Sequence, residues 1–303
     1  MKAPLIFEIK GNSLDDGAGI RSVVFFKGCP LACIWCHNPE GMRAGVEISF
    51  DQRECIGCNT CIETCLQHAL ARDNPFFIDR QRCTLCFLCT EACPSGALDR
   101  VGREMTKEAI LEKLLKDKPF YDTSGGGVTL SGGEPTLYMD SVSALLQVLK
   151  THGIHCLLET CGQFDLERFT TLVYPYLDAI YYDIKLFNPE EHKRFCGVTN
   201  ATILANFVKL IELTRADGKE FLPRVPLVPS ITDSDANLGA IAAFLQSHQV
   251  KKAKLLPYNP LWPEKSSKVG IGTGSLDASM KKWMGSEKIK HCESIFREHD
   301  LDV

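Results

Sequence analysis

The 303-residue sequence lacks an excess of basic residues, because 34 Lys and Arg are outnumbered by 38 Asp and Glu, for a net charge of −4. Nucleic acid attracts basic surfaces, so this balance gives no electrostatic reason to expect a nucleic-acid partner. The sequence also lacks an apolar run approaching the roughly 20 residues of a membrane helix, and its first ten residues lack the layout of a signal peptide. We therefore expect no membrane partner and a cytoplasmic protein.

What the sequence does contain is an ordinary globular composition, with 45% hydrophobic and 24% charged residues. Its length is enough to bury a sizeable core, and it allows one large domain or two smaller ones. Composition alone therefore predicts a folded protein without indicating its chemistry.

The unusual feature is the number of cysteines, which is 15. A secreted disulfide-rich protein is one explanation, but the export signal is missing and a reducing cytosol disfavours disulfides. Eleven of the cysteines fall in three tight groups between Cys29 and Cys93. The remaining four are expected to be ordinary buried or half-buried thiols: Cys156, Cys161, Cys196 and Cys292.

The first group is Cys29, Cys33 and Cys36, spaced C-x3-C-x2-C directly after a short apolar run. Thiolates are soft ligands that favour iron–sulfur clusters, zinc or copper(I). Zinc and cubane clusters normally take four protein ligands, and the next cysteine along the chain is Cys55. A cubane held by only three thiolates keeps one iron open for a small molecule, which is the central hypothesis from the sequence.

The second and third groups form an internal repeat of the bacterial ferredoxin pattern, C-x2-C-x2-C-x3-C. In that pattern the fourth cysteine of each run ligates the other cluster. The predicted ligand sets are Cys55, Cys58, Cys61 and Cys93 for one cluster, and Cys83, Cys86, Cys89 and Cys65 for the other. Two zinc sites are the alternative. Leu66 stands where the first run would carry proline, a position that donates no ligand.

From residue 105 onward helical and strand patterns alternate, which indicates a parallel α/β sheet or barrel. Thr106 is the expected N-cap of the first helix. Strands are predicted at 5–9, 21–27, 128–130, 155–159, 179–184, 221–228 and 253–257, and further helices at 141–150, 167–174, 205–215, 238–247 and within 276–299. Polar residues collect where strands end, which is the active face of parallel barrels: Glu134, Glu159, Asp183, Lys185, Arg224 and Asn259.

Two strings carry a family resemblance: G-x-G-I-R ending at Arg21, and F-x-x-G-C-x-x-x-C-x-W-C-x-N ending at Asn38. They resemble radical S-adenosylmethionine (SAM) enzymes and, more narrowly, the activating enzymes of glycyl radical enzymes. The resemblance implies a partial (β/α)6 barrel interrupted by a bacterial-type ferredoxin-like domain with two 4Fe–4S clusters. We expect the start of the barrel at 1–47, the insert at 48–99, and the rest of the barrel with its C-terminal helices at 100–303.

The same resemblance implies an activity. SAM would bind the open iron, and its reductive cleavage would yield methionine and a 5′-deoxyadenosyl radical that takes a hydrogen from a backbone glycine of a partner enzyme. Three 4Fe–4S clusters are implied, with a flavodoxin or ferredoxin as electron donor. The two insert clusters would relay electrons, or would be chiefly structural. Oxygen should destroy the activity, so an anaerobic setting is expected.

The resemblance also assigns roles to residues near strand ends. Gly132, Gly133 and Glu134 resemble the contact for the amino group of SAM, although Gly-Gly-Glu alone is most often a turn. Asp183, Ile184 and Lys185 resemble a D-x-K motif of the cofactor site, with a surface ion pair as the alternative reading.

Further assignments are less specific. Arg224 resembles an arginine that reaches the cofactor, or is an ordinary exposed arginine, and Glu159 stands where relatives carry aspartate. Asn259 stands where similar proteins usually place histidine, and it cannot titrate. Trp35 and His37 flank Cys36, in a segment implied to lie beside adenine. His37 could instead be a metal ligand, although three thiolates already serve the cluster.

Asp16 has two readings as well. It resembles an aspartate that contacts the glycine-bearing loop of the partner, and it also suits a turn-capping carboxylate. Two rival functions remain for the whole chain. One is a radical SAM enzyme acting on another peptide, a small molecule or tRNA, and the other is a pure electron carrier, which would have no use for an open iron.

Overall fold

The computed structural model describes residues 3–274 and 277–303. These residues form ten strands: β1 (Leu5–Ser13), β2 (Arg21–Phe26), β3 (Glu47–Phe50), β4 (Leu98–Val101), β5 (Arg103–Glu104), β6 (Gly127–Gly132), β7 (His155–Thr160), β8 (Ala179–Asp183), β9 (Glu220–Leu227) and β10 (Lys254–Pro257). They also form eleven α-helices: α1 (Thr60–Thr64), α2 (Leu88–Glu91), α3 (Lys107–Leu115), α4 (Lys118–Ser124), α5 (Met139–Thr151), α6 (Leu166–Leu172), α7 (Pro189–Cys196), α8 (Ala201–Asp217), α9 (Asp235–Ser247), α10 (Trp262–Lys268) and α11 (Ser286–Arg297).

Eight strands make the main sheet, in the order β10-β9-β8-β7-β6-β2-β1-β5. The six strands from β10 to β2 in that order run parallel to one another, whereas β1 pairs antiparallel with both β2 and β5. Six parallel strands with helices between them agree with the predicted (β/α)6 arrangement. Because the strands are parallel, their carboxyl ends lie at one edge of the sheet.

Successive side chains along a strand point to opposite faces of the main sheet, and in the central strands both faces are apolar. Leu158 and Ile180 are fully buried in the main core, which the sheet shares with helices α3, α5, α6, α8 and α9. Their neighbours Leu157 and Tyr181 belong to a smaller cluster on the opposite face. Both faces of these strands are therefore covered, as is usual for parallel sheets.

The predicted elements all occur, with differences at their ends. Thr106 caps α3 as predicted, because its side chain accepts a hydrogen bond from the Ala109 amide. Helix α9 begins three residues before the prediction, because Ser234 caps it. The predicted tail helices correspond to a 3₁₀ turn at Ala278–Lys281 and to α11, and Leu276 lies outside the described residues. Helices α1, α2, α4, α7 and α10 and strands β3 to β5 were not predicted.

The cysteine-rich segment has a core of its own. Strand β3 pairs antiparallel with β4 across it, and Phe50 of β3 stacks on Phe77 with ring centroids 4.1 Å apart. The internal repeat is visible in the backbone, because Asn59 and Phe87 occupy equivalent positions before α1 and α2 and both are left-handed, with φ of 62° and 63°.

Ion pairs join this segment to the rest of the chain. The ammonium of Lys27, directly after β2, contacts the carboxylate of Glu47 at 2.5 Å and is completely buried. Lys268 of α10 pairs with Asp51 at 2.7 Å on the other side. Within the described ranges, no helix combines the length and apolar character that crossing a membrane would require.

Candidate active site

Two loops meet at the carboxyl ends of the adjacent strands β2 and β6. Phe26 and Gly132 are paired at the ends of these strands, so the cysteine loop and the S-G-G-E-P loop leave the sheet side by side. The amide of Gly133 donates to the carbonyl of Phe26 at 2.8 Å, and the amide of Glu134 donates to that of Gly28 at 2.7 Å. These bonds place the glycine loop next to Cys29.

The loops border a cavity of about 450 Å³ at this edge of the sheet. Most of the residues assigned to the site from the sequence line this cavity. They are Asp16, Cys29, Cys33, Trp35, Cys36, His37, Gly132, Gly133, Glu159, Asp183, Lys185, Arg224 and Asn259. The cavity therefore gathers thiols, charged groups and aromatic rings from six strands and their loops.

A row of hydrogen-bonded side chains runs across the cavity wall from β6 to β9. Ser131 donates to Glu159 at 2.7 Å, and Glu159 also contacts the guanidinium of Arg224. Arg224 donates through Nε to Asp183 at 2.8 Å, and the ammonium of Lys185 lies 3.0 Å from the same carboxylate. The four charged side chains are only 10% to 21% exposed, so this is not a surface ion pair.

The charges in this row stabilise one another. Burial by itself would raise the pKa of Asp183, but the positive charges of Arg224 and Lys185 lower it. Burial would lower the pKa of Lys185, but the carboxylate of Asp183 raises it instead. Two cations and two carboxylates balance, which suits a zwitterionic ligand such as an amino acid.

Another part of the cavity lining is aromatic. Trp35 is buried, and His37 meets the ring of Tyr258 edge-on with centroids 6.1 Å apart. Burial and the nearby Lys265 lower the pKa of His37 to about 4, so its imidazole is neutral at pH 7. Asn259 lines the same cavity as His37 and Tyr258. A neutral ring beside an amide suits a flat heterocycle better than an anion.

Two of the assigned residues do not line the cavity. The side chain of Glu134 is completely buried and accepts hydrogen bonds from Thr136, Thr160 and the Cys161 amide, and burial raises its pKa. The contact of Glu134 with an ammonium stays a prediction, and the structure shows that its oxygens already accept hydrogen bonds from the protein. Ile184 is 1% exposed and belongs to the main core, so it contributes no side chain to the cavity.

Asp16 shows the contacts of the turn-forming reading, and its contact with a partner stays a prediction. Its carboxylate accepts a hydrogen bond from Ser13, three residues earlier, as a turn-forming aspartate does. Its carbonyl accepts from Thr129 of β6 at 2.7 Å, which ties the turn to the sheet. The side chain nevertheless borders the cavity, where a docking chain could reach it.

A fourth thiol in the cavity was missed by the sequence analysis. Cys161, directly after β7, lines the same cavity as Cys29. All four scattered cysteines are buried, as expected. The position of Cys161 had no sequence signal, because 132 residues separate it from Cys29.

The insert cysteines surround two further, smaller cavities. One is lined by Cys55, Cys58, Cys61 and Cys93, and the other by Cys65, Cys83, Cys86 and Cys89. Each cavity thus combines three thiols of one run with the last thiol of the other run. This grouping is the one expected for the ferredoxin pattern.

The donor set fits iron–sulfur clusters better than single ions. Within residues 3–274 and 277–303, no three His, Cys, Asp or Glu side chains are grouped to hold one metal ion. A cubane binds each thiolate at a different iron, so its ligands surround it and need not converge on one point. Gly133 allows the loops to pack closely beside the main cavity, because a Cβ there would overlap the carbonyl oxygens of Gly28 and Gly41.

Comparison with known proteins defines the class. Residues 54–97 match the 4Fe-4S dicluster domain, and residues 80–238 match the Radical SAM superfamily. A radical SAM methyltransferase from Sphaerobacter thermophilus shares the fold, with a TM-score of 0.53 and 13% identity over 99% of this chain and 76% of that one. These matches confirm the predicted radical SAM fold with a ferredoxin-like domain.

Sequence similarity to known proteins extends along nearly the whole chain. The trans-4-hydroxy-L-proline dehydratase activating enzyme of Clostridioides difficile is 37% identical over 97% of this chain and 94% of its own length. The choline trimethylamine-lyase activating enzyme of Oleidesulfovibrio alaskensis is 35% identical over 99% of this chain and 96% of its own length. The benzylsuccinate synthase activating enzyme of Thauera aromatica is 39% identical over 82% of this chain and 76% of its own length. The chain therefore belongs to the glycyl radical enzyme activating enzymes of the radical SAM superfamily.

Proposed function

We propose that this protein activates a partner glycyl radical enzyme, and that Cys29, Cys33 and Cys36 hold the cluster that binds SAM. The observation that carries the proposal is the single cavity shared by these three thiols, the Gly132–Gly133 backbone and the Arg224 ion-pair row. When bound, the cluster supplies the electron that cleaves SAM into methionine and the 5′-deoxyadenosyl radical used on the partner's glycine. The residues of the chain bind, orient and shield that reaction.

Each wall of the cavity suits one part of SAM. Lys185 and Arg224 offer donors to the carboxylate of the methionine moiety, and their charges remain compensated by Asp183 and Glu159. The Gly132–Gly133 backbone lines the same cavity and is proposed to face the amino group of SAM.

The aromatic wall suits the other end of SAM and the partner. Trp35, neutral His37 and Asn259 flank the space for adenine. Asp16, at the rim, is proposed to contact the glycine-bearing loop of the partner. These walls also exclude water, which protects a reactive radical from side reactions.

We further propose that the insert carries two 4Fe–4S clusters, which brings the total to three. The two four-thiol cavities support this assignment. A flavodoxin or ferredoxin would donate electrons through them, with a purely structural role as the alternative. The proposed domains are residues 1–47, 48–99 and 100–303, and a cytoplasmic location is proposed because cluster thiolates require a reducing compartment.

The partner is a large enzyme whose glycine is the substrate. The relatives act with a dehydratase, a lyase and a synthase, as their names state, and similar identities do not single out one of them. A gene for a glycyl radical enzyme beside the gene for this protein would identify the partner.

The proposal is tested by incubating the reduced, cluster-loaded protein with SAM and that candidate partner under anaerobic conditions. Electron paramagnetic resonance should show a glycyl doublet on the partner, which is absent without SAM and absent when the partner glycine is replaced by alanine. SAM cleavage without any doublet would favour a radical SAM enzyme with another substrate. Absence of SAM cleavage would favour an electron carrier.

A further inference from the structure

Helix α10 follows the last strand of the main sheet, and its Lys265 contacts a short segment directly after Cys36. The ammonium donates to the carbonyl of His37 at 3.0 Å and to the side-chain oxygen of Asn38 at 3.3 Å. It also lies 3.4 Å from the carboxylate of Glu40. An ammonium has three donors, so this one segment can use all of them.

The contacted segment, residues 37–40, borders the main cavity. His37 and Asn38 line the cavity, whereas Lys265 is not among the lining residues. In the proposed function the residues around His37 lie beside the adenine of SAM, and we call residues 37–40 the adenine segment. Lys265 therefore supports the adenine segment from outside the cavity.

Burial makes the contact with Lys265 important for the adenine segment. The side chain of Glu40 is 18% exposed, and the oxygen that faces Lys265 is buried. Without the lysine, this carboxylate would lose the cation that compensates it, which favours a movement of the segment toward water. The carbonyl of His37 would also lose a charged donor, and such hydrogen bonds are stronger than neutral ones.

Helix α10 is itself fixed to the aromatic part of the cavity lining. Trp262 is buried in the first turn of α10 and donates through Nε1 to the hydroxyl of Tyr258 at 2.7 Å. That hydroxyl donates in turn to the carbonyl of Met280 at 2.8 Å. The ring of Tyr258 meets the ring of His37 edge-on. His37 is thus held through its ring by Tyr258 and through its backbone by Lys265.

We propose that Lys265 is a positioning residue for the adenine of SAM, which acts by holding the adenine segment in place at the cavity. This inference rests on the proposed function, in which that segment flanks adenine. The methionine end of SAM is assigned to Lys185 and Arg224, and within the described part of the chain Lys265 contacts neither. The effect of Lys265 should therefore be confined to the adenine end.

The test compares SAM with its two halves, 5′-deoxyadenosine and methionine, in anaerobic equilibrium binding to the full-length, cluster-loaded protein. Lys265→Met should weaken binding of SAM and 5′-deoxyadenosine at least about fivefold, whereas the affinity for methionine should change by less than about twofold. Lys265→Arg should recover most of the affinity, because a guanidinium also donates to carbonyl and carboxylate oxygens. Iron content is measured for every variant and should stay unchanged.

The matched control is Lys268→Met, which removes the same charge from the same helix one turn later. Lys268 pairs with Asp51 at 2.7 Å, on the side of the cysteine-rich insert, and with Glu264 at 3.5 Å. Its replacement should leave the affinities for SAM, 5′-deoxyadenosine and methionine unchanged.

The inference is overturned if Lys265→Met binds 5′-deoxyadenosine as tightly as the wild type does. It is also overturned if both halves of SAM bind more weakly, if Lys268→Met has the same effect, or if Lys265→Met loses iron. In those cases the lysine would support the fold or the cysteine loop as a whole. A wild-type protein that binds neither SAM nor 5′-deoxyadenosine would instead contradict the proposed function itself.

Discussion

Arg224 and Asp183 lie opposite each other on the neighbouring parallel strands β9 and β8, with the Nε of Arg224 2.8 Å from the carboxylate of Asp183. Because Arg224 also contacts Glu159 from β7, one guanidinium joins three successive strands at the cavity wall. Removing one partner of a buried ion pair leaves an uncompensated charge, at a cost of about 3–5 kcal/mol. This row is therefore both a structural element and the proposed anchor for SAM.

Arg224→Lys tests the anchor. Lysine keeps the charge but has no planar fork to reach Asp183 and Glu159 together. We expect the affinity for SAM to fall at least about tenfold, or about 1.4 kcal/mol, as measured by anaerobic equilibrium binding. Arg215→Lys on the exposed face of α8 is the control and should bind SAM as the wild type does. Unchanged affinity in Arg224→Lys would exclude this arginine from the cofactor site.

Gly133→Ala tests the close approach of the two loops. The added Cβ would meet the carbonyls of Gly28 and Gly41, which are backbone atoms and cannot move aside cheaply. We expect a loss of stability of about 2 kcal/mol or more, measured by denaturant unfolding, together with weaker SAM binding. Gly239→Ala in α9, where nothing lies within 4 Å, should be neutral or stabilising by up to about 1 kcal/mol. Equal effects at the two positions would contradict the packing described.

Paired serine substitutions test how the insert cysteines are shared. Cys55 and Cys93 line the same cavity, so Cys55→Ser/Cys93→Ser should remove one cluster, whereas Cys83→Ser/Cys93→Ser should remove two. Iron content should fall from about twelve atoms per chain to about eight in the first variant and about four in the second. If the first variant instead kept about four iron atoms and the second about eight, each run of cysteines would bind its own cluster.

The pH dependence of stability is tested at His155. Burial and the nearby charge of Arg21 lower the pKa of His155 below 6.5, so the folded protein keeps a neutral ring that lies 3.3 Å from the Arg21 guanidinium. Below pH 6.5 the unfolded chain takes up this proton first. The stability contributed by the neutral ring is therefore complete above that pH and is lost as pH falls.

Thermal unfolding between pH 7.5 and 5.5 should therefore show a steeper loss of stability in the wild type than in His155→Gln. The difference is at most about 1.4 kcal/mol per pH unit, the slope for uptake of one proton. Glutamine can accept the same hydrogen bond without titrating. Identical slopes in the two proteins would show that His155 is not the responsible group.

Local patterns in the sequence predicted much of the fold. The strand runs around Leu158 and Ile180 are apolar on both faces, and Thr106 is followed by a helical repeat, so these elements could be placed. Helix α7 was missed because it is short and highly polar, although Asn188 and Gly197 mark its two ends. Strands β3 and β4 were missed because 47 residues, from 51 to 97, lie between them. Their antiparallel pairing therefore leaves no local pattern in the sequence.

In the site too, local motifs could be predicted from the sequence, whereas contacts between residues far apart in the sequence could not. Asp183 and Lys185 could be assigned because a strand end and a short motif coincide. The hydrogen-bond partners of Glu134 could not be predicted, since two of them are Thr160 and Cys161, 26 and 27 residues further on. Cys161 follows β7, which pairs with β6, and β6 in turn pairs with β2, the strand before the cysteine loop. This order of strands brings Cys161 to the cavity.

The central claim is that three thiols hold a cluster with an iron open to SAM. Its most direct test is the formation of 5′-deoxyadenosine after anaerobic reduction with SAM, in the wild type and in a variant with Cys29, Cys33 and Cys36 all replaced by alanine. The account predicts 5′-deoxyadenosine and methionine from the wild type and none from the variant, even though the variant keeps its eight insert thiols and their iron. Equal product from the two proteins, or none from a wild type with full iron content, would contradict it.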